Sequence, residues 1–367
     1  MRIHHFYPRT NNIGDHFVQR GIERMVGRIV PEATFELFNV NNRGEDKIEY
    51  GLTKLAIERA NREADLIIVG GSNLYEGSYR WRWGVHLEDD ALENLRVPMF
   101  LLGIGAGSDF TSPLRKPSAR AKKEIKLLND CATFSGARDV ITYDWLQQLG
   151  MSKAKLTGDP ATFIFNQRPR PNYDWYDGHI LITMPPRRFW TSKHQFWNVH
   201  VCGRAMFRAL VALARTLHQE GHQVVIACND PVDLPIAESL FEGGLPGDVV
   251  CPETLEEYFQ LISASRAVVS GRLHTAVVAF SLGIPFLLMD VDQRTHGFVK
   301  TYQLEPWSVV PSLPRIEARL REDTERLLSG AACESWKFFI EKRDHMCARA
   351  MDLLAEALKA ISWKGTS

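Results

Sequence analysis

The stretch Ser265-Arg-Ala-Val-Val-Ser-Gly271, Arg272-Leu-His-Thr-Ala-Val-Val-Ala-Phe-Ser-Leu282, Gly283-Ile-Pro-Phe-Leu-Leu-Met-Asp290 holds two short apolar runs on either side of a longer apolar segment. Glycine, proline and charged residues punctuate the runs, so the stretch reads as strand, short helix, strand. A unit of this kind is one turn of a parallel α/β sheet. Its corner, just after Gly271, carries Arg272 and His274.

The same pattern recurs outward in both directions. In the first half, Asp65-Leu-Ile-Ile-Val runs into Gly70-Gly71, and Pro98-Met-Phe-Leu-Leu runs into Gly103-Ile-Gly-Ala-Gly107. Ligands of such sheets bind outside the carboxyl ends of the strands, which makes Gly71 and Gly105 candidate walls of a site; the same glycines serve equally well as tight turns. Asn166 to Asp177 lacks either period and carries two prolines, as a linker does. The pattern then restarts with the strand His179-Ile-Leu-Ile-Thr-Met184. A helix from Ala205 to Glu220 follows, with Met206, Leu210, Leu213 and Leu217 on its apolar face, and then the strand Gln223 to Cys228. Gly221 stops that helix as a C′ residue. Ser335 to Trp363 sets Trp336, Phe339, Ile340, Met346, Ala350, Leu354, Ala357, Leu358 and Ile361 near one helical face. The expected organisation is a first Rossmann-like domain over 1–167, a second over 178–332, and a closing helix over 333–367 that packs across the domains.

The chain has 367 residues, with 44 Lys+Arg against 44 Asp+Glu, so its formal net charge is +0. That balance lacks the electrostatic footprint of a general nucleic-acid binder. At 45% hydrophobic and 24% charged, the composition is that of an ordinary globular protein. The start, Met1 to Thr10, has no apolar run behind its charges, and Ala276 to Met289 is interrupted and too short to span a bilayer. A cytoplasmic protein is expected, with at most peripheral contact with the inner face of the membrane. The six cysteines, Cys131, Cys202, Cys228, Cys251, Cys333 and Cys347, form no CxxC pair and read as buried small hydrophobes.

Several familiar signals fail on inspection. Gly103-Ile-Gly105-Ala-Gly107 has Ser108 where a dinucleotide fingerprint needs its third glycine. His218 and His222 have the spacing of a helical metal pair, but Gly221 ends the helix between them. His4 and His5, adjacent on the first strand, face opposite sides and cannot act as one chelate. Neither a GxSxG elbow nor a Walker A loop is present. No metal is expected.

Four polar clusters remain at strand ends or corners: Asn12-Ile-Gly14-Asp15; Ser135-Gly-Ala-Arg138-Asp139; Gly158-Asp159-Pro160-Ala161; and Ser270-Gly-Arg272-Leu-His274, the last followed by Asp290-Val-Asp292-Gln-Arg294-Thr-His296-Gly-Phe298. In this order, and above all through Arg272-Leu-His274 leading into Ala279 to Pro285, they make a set that resembles the polysaccharide pyruvyl transferase family. The resemblance runs from Asn12 to about Leu304. It implies a GT-B-like pair of Rossmann-type domains with parallel sheets facing a central cleft. It also implies transfer of the enolpyruvyl group of phosphoenolpyruvate onto two hydroxyls of a sugar, giving a pyruvate ketal and phosphate. Phosphoenolpyruvate is then a co-substrate, and no further cofactor is implied.

The residues are compatible with that chemistry. A substrate with a phosphate and a carboxylate on one small frame calls for planar cations that can bind both groups bidentately, and Arg138, Arg272 and Arg294 supply them. Amides of the helix after Gly271 add anion binding. Protonating the methylene carbon needs an acid near neutral pH, which histidine provides. By the resemblance His274 is the general acid/base; Arg272 and Arg138 position the anionic groups, with Asn12, Gly14, Asp15, Gly71, Gly105 and Ser270 around them. Family members commonly have a lysine where this chain has Arg294, which keeps the charge and changes the shape. His296 reads as a surface residue, and Asp159, ahead of Pro160, as a turn former.

The acceptor, a sugar or a lipid-linked glycan precursor, would meet Tyr75 to His86 and Pro185 to Trp197, two segments mixing aromatics with arginines. The same aromatics could instead pack an interdomain surface. Two further readings stay open: a GT-B nucleotide-sugar glycosyltransferase, with Arg272 and Arg294 on a diphosphate, and a non-catalytic glycan-binding member. Homo-oligomerisation is compatible with all three.

Overall fold

A strand covered by helices on both faces must be apolar along its whole length. Leu66 to Gly70 and Met99 to Ile104 are buried at every position, and they form the centre of the first sheet in this computed structural model. The structure describes residues 1–10, 12–40, 51–75, 84–107, 117–164, 178–185, 197–241, 248–310, 315–329 and 331–361.

The first half runs β1 (Arg2–Tyr7), α1 (Ile13–Ile29), β2 (Thr34–Asn39), α2 (Lys54–Glu63), β3 (Leu66–Gly70), β4 (Met99–Ile104), α3 (Ala119–Cys131), β5 (Phe134–Ala137), α4 (Val140–Gln148) and β6 (Ala154–Leu156). Its strands form one parallel sheet in the order β2-β1-β3-β4-β5-β6. The second half runs β7 (His179–Thr183), α5 (Trp197–Gln219), β8 (Val224–Ala227), α6 (Leu234–Phe241), β9 (Asp248–Val250), α7 (Leu255–Ser263), β10 (Ser265–Ser270), α8 (Leu273–Leu282), β11 (Phe286–Met289), α9 (Gln293–Tyr302) and β12 (Ser308–Val309). Its sheet, in the order β12-β11-β10-β7-β8-β9, is also parallel throughout. α10 (Ile316–Leu328) and α11 (Ala331–Lys359) complete the chain. The architecture is the two-domain Rossmann-like α/β fold expected from the sequence.

Each strand order reverses once, between β1 and β3 in the first sheet and between β7 and β10 in the second. Such switch points leave a crevice at the strand carboxyl ends, where ligands bind. The segments that leave β1 and β10 there are the starts of α1 and α8, and these two starts meet.

The halves also share a core. One apolar cluster runs from Ile3, Phe17 and Ile68 through Phe163 to Ile182, Val269 and Phe286, and a second packs the other face of the first sheet around Phe6, Ile67, Leu101 and Leu146. α11 seals the junction. Trp336 is fully buried against Phe280, Phe286 and Trp307 and donates from Nε1 to the Gly283 carbonyl, while Cys347, three turns on, lies 3.6 Å from Thr162 of the first half.

Some details differ from expectation. α5 starts at Trp197 rather than Ala205, and the closing helix spans Ala331–Lys359 rather than 335–363. Gly221 adopts φ +86° at the end of α5, as a C′ glycine does. Of the cysteines that can be placed, only Cys228 is fully buried; Cys131, Cys251 and Cys347 are half-buried, and all four are free. The linker Asn166 to Asp177 lies outside the described residues. His4 and His5 do face opposite sides of β1, His4 against Phe38 and His5 against Tyr7 and Phe35, and both are fully buried.

Two stability measurements follow from this packing. Trp336→Ala empties a fully enclosed site and strands the Gly283 carbonyl, so it is expected to cost about 3–5 kcal/mol, read as a lowered urea midpoint. Burial lowers the His5 pKa to about 3. Below the ordinary value of about 6.5 the unfolded chain therefore binds a proton that the folded chain refuses. Folding stability should fall by roughly 1.4 kcal/mol per pH unit on this account between pH 6.5 and 3, and His5→Phe should make the measured profile shallower by that amount.

Candidate active site

The N-terminus of α8 follows the corner after β10, and there Arg272 and His274 take different directions. Side chains two apart at a helix start do not share a face. The Arg272 guanidinium turns inward over its own sheet, donating from Nε to the Met184 carbonyl (2.9 Å) and from Nη2 to Asp233. His274 turns the other way, into the first domain. Arg272 thus pins the β7, β10 and Asp233 segments together, while His274 reaches toward the first domain.

His274 stands on the start of α1. Asn12 caps that helix, its Oδ1 accepting from the Gly14 amide at 3.2 Å, and the buried Asp15 accepts from the Thr10 hydroxyl at 2.6 Å. A Cβ at residue 14 would overlap His274 Nδ1, so glycine is what admits the imidazole. Of the three residues expected here, Gly14 touches the histidine, whereas Asn12 and Asp15 hold the helix start. Ser270, also expected at the site, is spent on its own corner, sharing a hydrogen bond with the Thr183 hydroxyl and bonding the backbone of Arg272.

On the other side of the imidazole lies a buried group of charges. Arg138 follows β5 and its side chain is 3% exposed; its Nε is 3.7 Å from both Asp139 Oδ2 and Asp159 Oδ2. Asp159 Oδ2 is also 3.7 Å from His274 Nε2. The guanidinium lies flat across Gly105, where a Cβ would overlap it, and its Nη2 is 3.5 Å from Asn73 Oδ1. Asn73 in turn donates to the Gly107 carbonyl at 2.7 Å, and a Cβ on Gly107 would meet Arg294 Cγ at 3.3 Å. Arg294 comes from the second domain at the start of α9, held by a fork onto Asp292, which also caps that helix. The structure thus brings together Arg138, His274, Arg294, Gly14 and Gly105. Gly71, at φ +81°, turns the chain after β3 against Val18.

The electrostatics follow from burial. His274, 11% exposed, has its pKa lowered well below 6.5, first by desolvation and then by the positive charges of Arg138 and Arg294. Its resting form is the neutral imidazole. Burial raises the pKa of Asp139 and of Asp159, with Arg138 opposing the rise in each case. Asp139 Oδ2, Asp159 Oδ2 and His274 Nε2 are all buried atoms without a hydrogen-bond partner. Native interiors seldom tolerate this, and such concentrations mark functional sites.

Asp159 and Asp139 are the residues that the sequence reading left out of the site. Asp159 does form the expected turn, Oδ1 accepting from the Ala161 amide at 2.9 Å, but its second oxygen faces the cluster. Asn73, two residues past Gly71, was also missed. His296, read as a surface residue, is half-exposed, with Nδ1 bonded to Asp290 at 2.7 Å. On the acceptor side, Tyr75 is corrected to a core residue: it is buried, packed on Trp145, with its hydroxyl accepting from Asn129. Residues 76–83 and 186–196 lie outside the described residues. Among the described residues, His4, Glu36 and Glu63 have metal-ligand spacing, but Arg59 already pairs with both carboxylates. His222, just past the end of α5, has Nδ1 bonded to Arg266 at 2.5 Å.

The sequence profile of the family described as polysaccharide pyruvyl transferase matches residues 12–293 of the chain. No curated protein matches in a sequence search. Among solved structures, a Listeria monocytogenes protein described as a UDP-N-acetylglucosamine 2-epimerase superposes with a TM-score of 0.62 at 11% identity, over 98% of this chain and 96% of its own. UDP-GlcNAc 2-epimerases from Neisseria meningitidis, bound to UDP-GlcNAc (TM-score 0.56, 12% identity, 98% of this chain and 100% of its own), and from Methanocaldococcus jannaschii, in complex with UDP-GlcNAc and UDP (0.53, 11%, 90% and 93%), are similar in the same way. At these identities the likeness is one of fold alone. No helix among the described residues is long and apolar enough to cross a membrane.

Gly14→Ala isolates the meeting of α1 with His274. The added methyl is expected to displace the imidazole while leaving the cap of α1 in place, so the His274 ring resonances should shift in NMR spectra with the urea midpoint lowered by no more than about 1–2 kcal/mol.

Proposed function

Because the chain belongs to the polysaccharide pyruvyl transferase family, we propose that it forms a pyruvate ketal on a sugar of a glycan precursor, with phosphoenolpyruvate as donor and the cleft between the two domains as the site. One observation carries the reading: His274 of the second domain is inserted among Gly14, Arg138 and Asp159 of the first, with Arg294 beside them.

The proposed donor has a phosphate, a carboxylate and an electron-rich methylene carbon. Arg138 and Arg294 come from different domains and supply planar cations for the two anionic groups. As these groups offset the positive charges that hold His274 neutral, the imidazole gains affinity for a proton. It then delivers that proton to the methylene carbon, which becomes a methyl group and leaves an oxocarbenium-like carbon. One sugar hydroxyl adds to that carbon and gives up its proton to the imidazole. The second hydroxyl forms the other C–O bond as the bond to phosphate breaks, and its proton leaves with the phosphate. Two O–H bonds, the enol C=C π bond and the C–O bond to phosphate are exchanged for two ketal C–O bonds, a methyl C–H and an O–H on the released phosphate.

Arg272, assigned to the donor by resemblance, acts in this reading through the corner it holds. The lysine-to-arginine change at Arg294 suits the geometry, because the fork onto Asp292 fixes the plane of a guanidinium in a way an ammonium does not share. The acceptor of this proposal is a sugar of a glycan precursor, free or lipid-linked, met at the cytoplasmic face of a membrane.

Mass spectrometry of glycan precursors incubated with phosphoenolpyruvate is the direct test, with phosphate release appearing only when a sugar acceptor is present. His274→Ala should abolish phosphate release, a loss of about 10²–10⁴-fold, with the fold unchanged. Arg272→Ala should lower stability as well as activity, because it leaves Asp233 buried without its cation. Stabilisation by UDP-sugars but not by phosphoenolpyruvate in a thermal-shift screen, or phosphate release that persists in folded His274→Ala, would overturn the assignment.

A further inference from the structure

Two buried atoms without partners face one another across the domain junction: Asp159 Oδ2 and His274 Nε2, 3.7 Å apart. Asp159 Oδ1 is committed to the Ala161 amide, which fixes the plane of the carboxylate and aims Oδ2 at the imidazole. The other edge of the imidazole, Nδ1, stands on Gly14.

We infer that Asp159 is the positioning residue of His274. By accepting a hydrogen bond from Nε2–H it selects one tautomer and turns the lone pair of Nδ1 to the Gly14 edge, so Nδ1 is the nitrogen that takes up and releases the transferred proton. This rests on the proposed role of His274 in proton transfer, but the tautomer itself does not.

The surroundings favour the arrangement. Arg138 Nε, 3.7 Å from Asp159 Oδ2, supports the carboxylate without closing a hydrogen bond, and Asp139 on the far side of Arg138 competes for the same cation. From the second domain, Arg294 with Asp292 and the buried Tyr302 hydroxyl complete the charged and titratable groups around the pair. An N–H on the imidazole is a neutral donor that Asp159 Oδ2 can accept from here. Carboxylates hold catalytic and metal-binding imidazoles in the same way elsewhere, and a gap of this size closes by less than 1 Å.

Asp159→Asn gives a sharp test, because the turn constrains it. The Ala161 amide needs an acceptor, so the asparagine oxygen stays at the Oδ1 position and its NH2 replaces Oδ2. A donor then faces Nε2 and forces the opposite tautomer, with the proton on Nδ1. In ¹⁵N-histidine-labelled full-length protein, with the His274 signals assigned through His274→Gln, the wild type should show Nε2–H and Asp159→Asn should show Nδ1–H, in the absence of any substrate. With phosphoenolpyruvate and acceptor, kcat should fall on the order of 10²–10⁴-fold while KM for phosphoenolpyruvate changes by less than about 3-fold. Nδ1–H in the wild type, or the same tautomer in both proteins, overturns the inference, and the wild-type spectrum decides this even where the variant does not fold. The expected tautomers without pyruvyl transfer in either protein would uphold the positioning and overturn the proposed reaction instead.

Discussion

The fold closes around one buried cation. Arg138 has been taken almost wholly out of water at the junction of two domains, and an isolated guanidinium there would cost several kcal/mol. Two carboxylates meet that cost, Asp139 from the residue beside it and Asp159 from the turn after β6, and both approach the same Nε. Neither pairs with ideal geometry, so each retains an oxygen without a partner. The domain junction is drawn in to cover this group. Asp139 caps α4 and packs against Gly297 of α9, where a Cβ would come within 2.6 Å of its carboxyl carbon, while Thr301 accepts from the backbone of Val140. The second domain is therefore docked on the very residues that hold the cation.

Docking of this kind gives the active-site reading its rigidity. His274, Arg294, Gly297 and Thr301 all sit on α8 or α9, two helices that follow adjacent strands of one sheet. α11 locks them from behind, with Trp336 against Phe280 and Arg343 donating to the last carbonyls of α8. A histidine placed by packed helices and strands holds its position better than one on a loop, which a proton transfer between fixed atoms requires.

Much of this is legible in the sequence, for reasons that differ between elements. The parallel sheets show because a strand buried on both faces has to be written as an unbroken apolar run, as in Leu66 to Val69 or Phe286 to Met289. The places of Arg138, His274 and Arg294 show because all three follow the carboxyl ends of parallel strands, where ligands of such sheets bind. The direction of Arg272 does not show. It depends on Asp233, a residue from another unit of the same domain, and on the turn of a helix start that sends positions two apart to different sides. Nor does the second oxygen of Asp159, since its first oxygen meets every local demand of the turn and its second faces Arg138 from another unit of the first domain and His274, more than a hundred positions away. Tyr75 shows the converse: it follows a glycine loop in the sequence, but the chain doubles back to bond Gly105 and carries the ring inside.

The charge count around His274 links binding to protonation. Three carboxylates, Asp139, Asp159 and Asp292, stand against two guanidiniums, Arg138 and Arg294. A site with that excess does not welcome a dianion unless protons arrive with it. Burial has prepared the acceptors: both aspartates off Arg138 have raised proton affinity, and the imidazole is held neutral by its own burial and, after that, by the repulsion of the two arginines. An anion that occupies the arginines removes that repulsion and at the same time weakens their hold on the carboxylates. Each change draws a proton toward the cluster. In the proposed reaction the proton needed for the methylene carbon is thus brought to the imidazole by the binding of the donor itself, and in the empty site the histidine stays unprotonated.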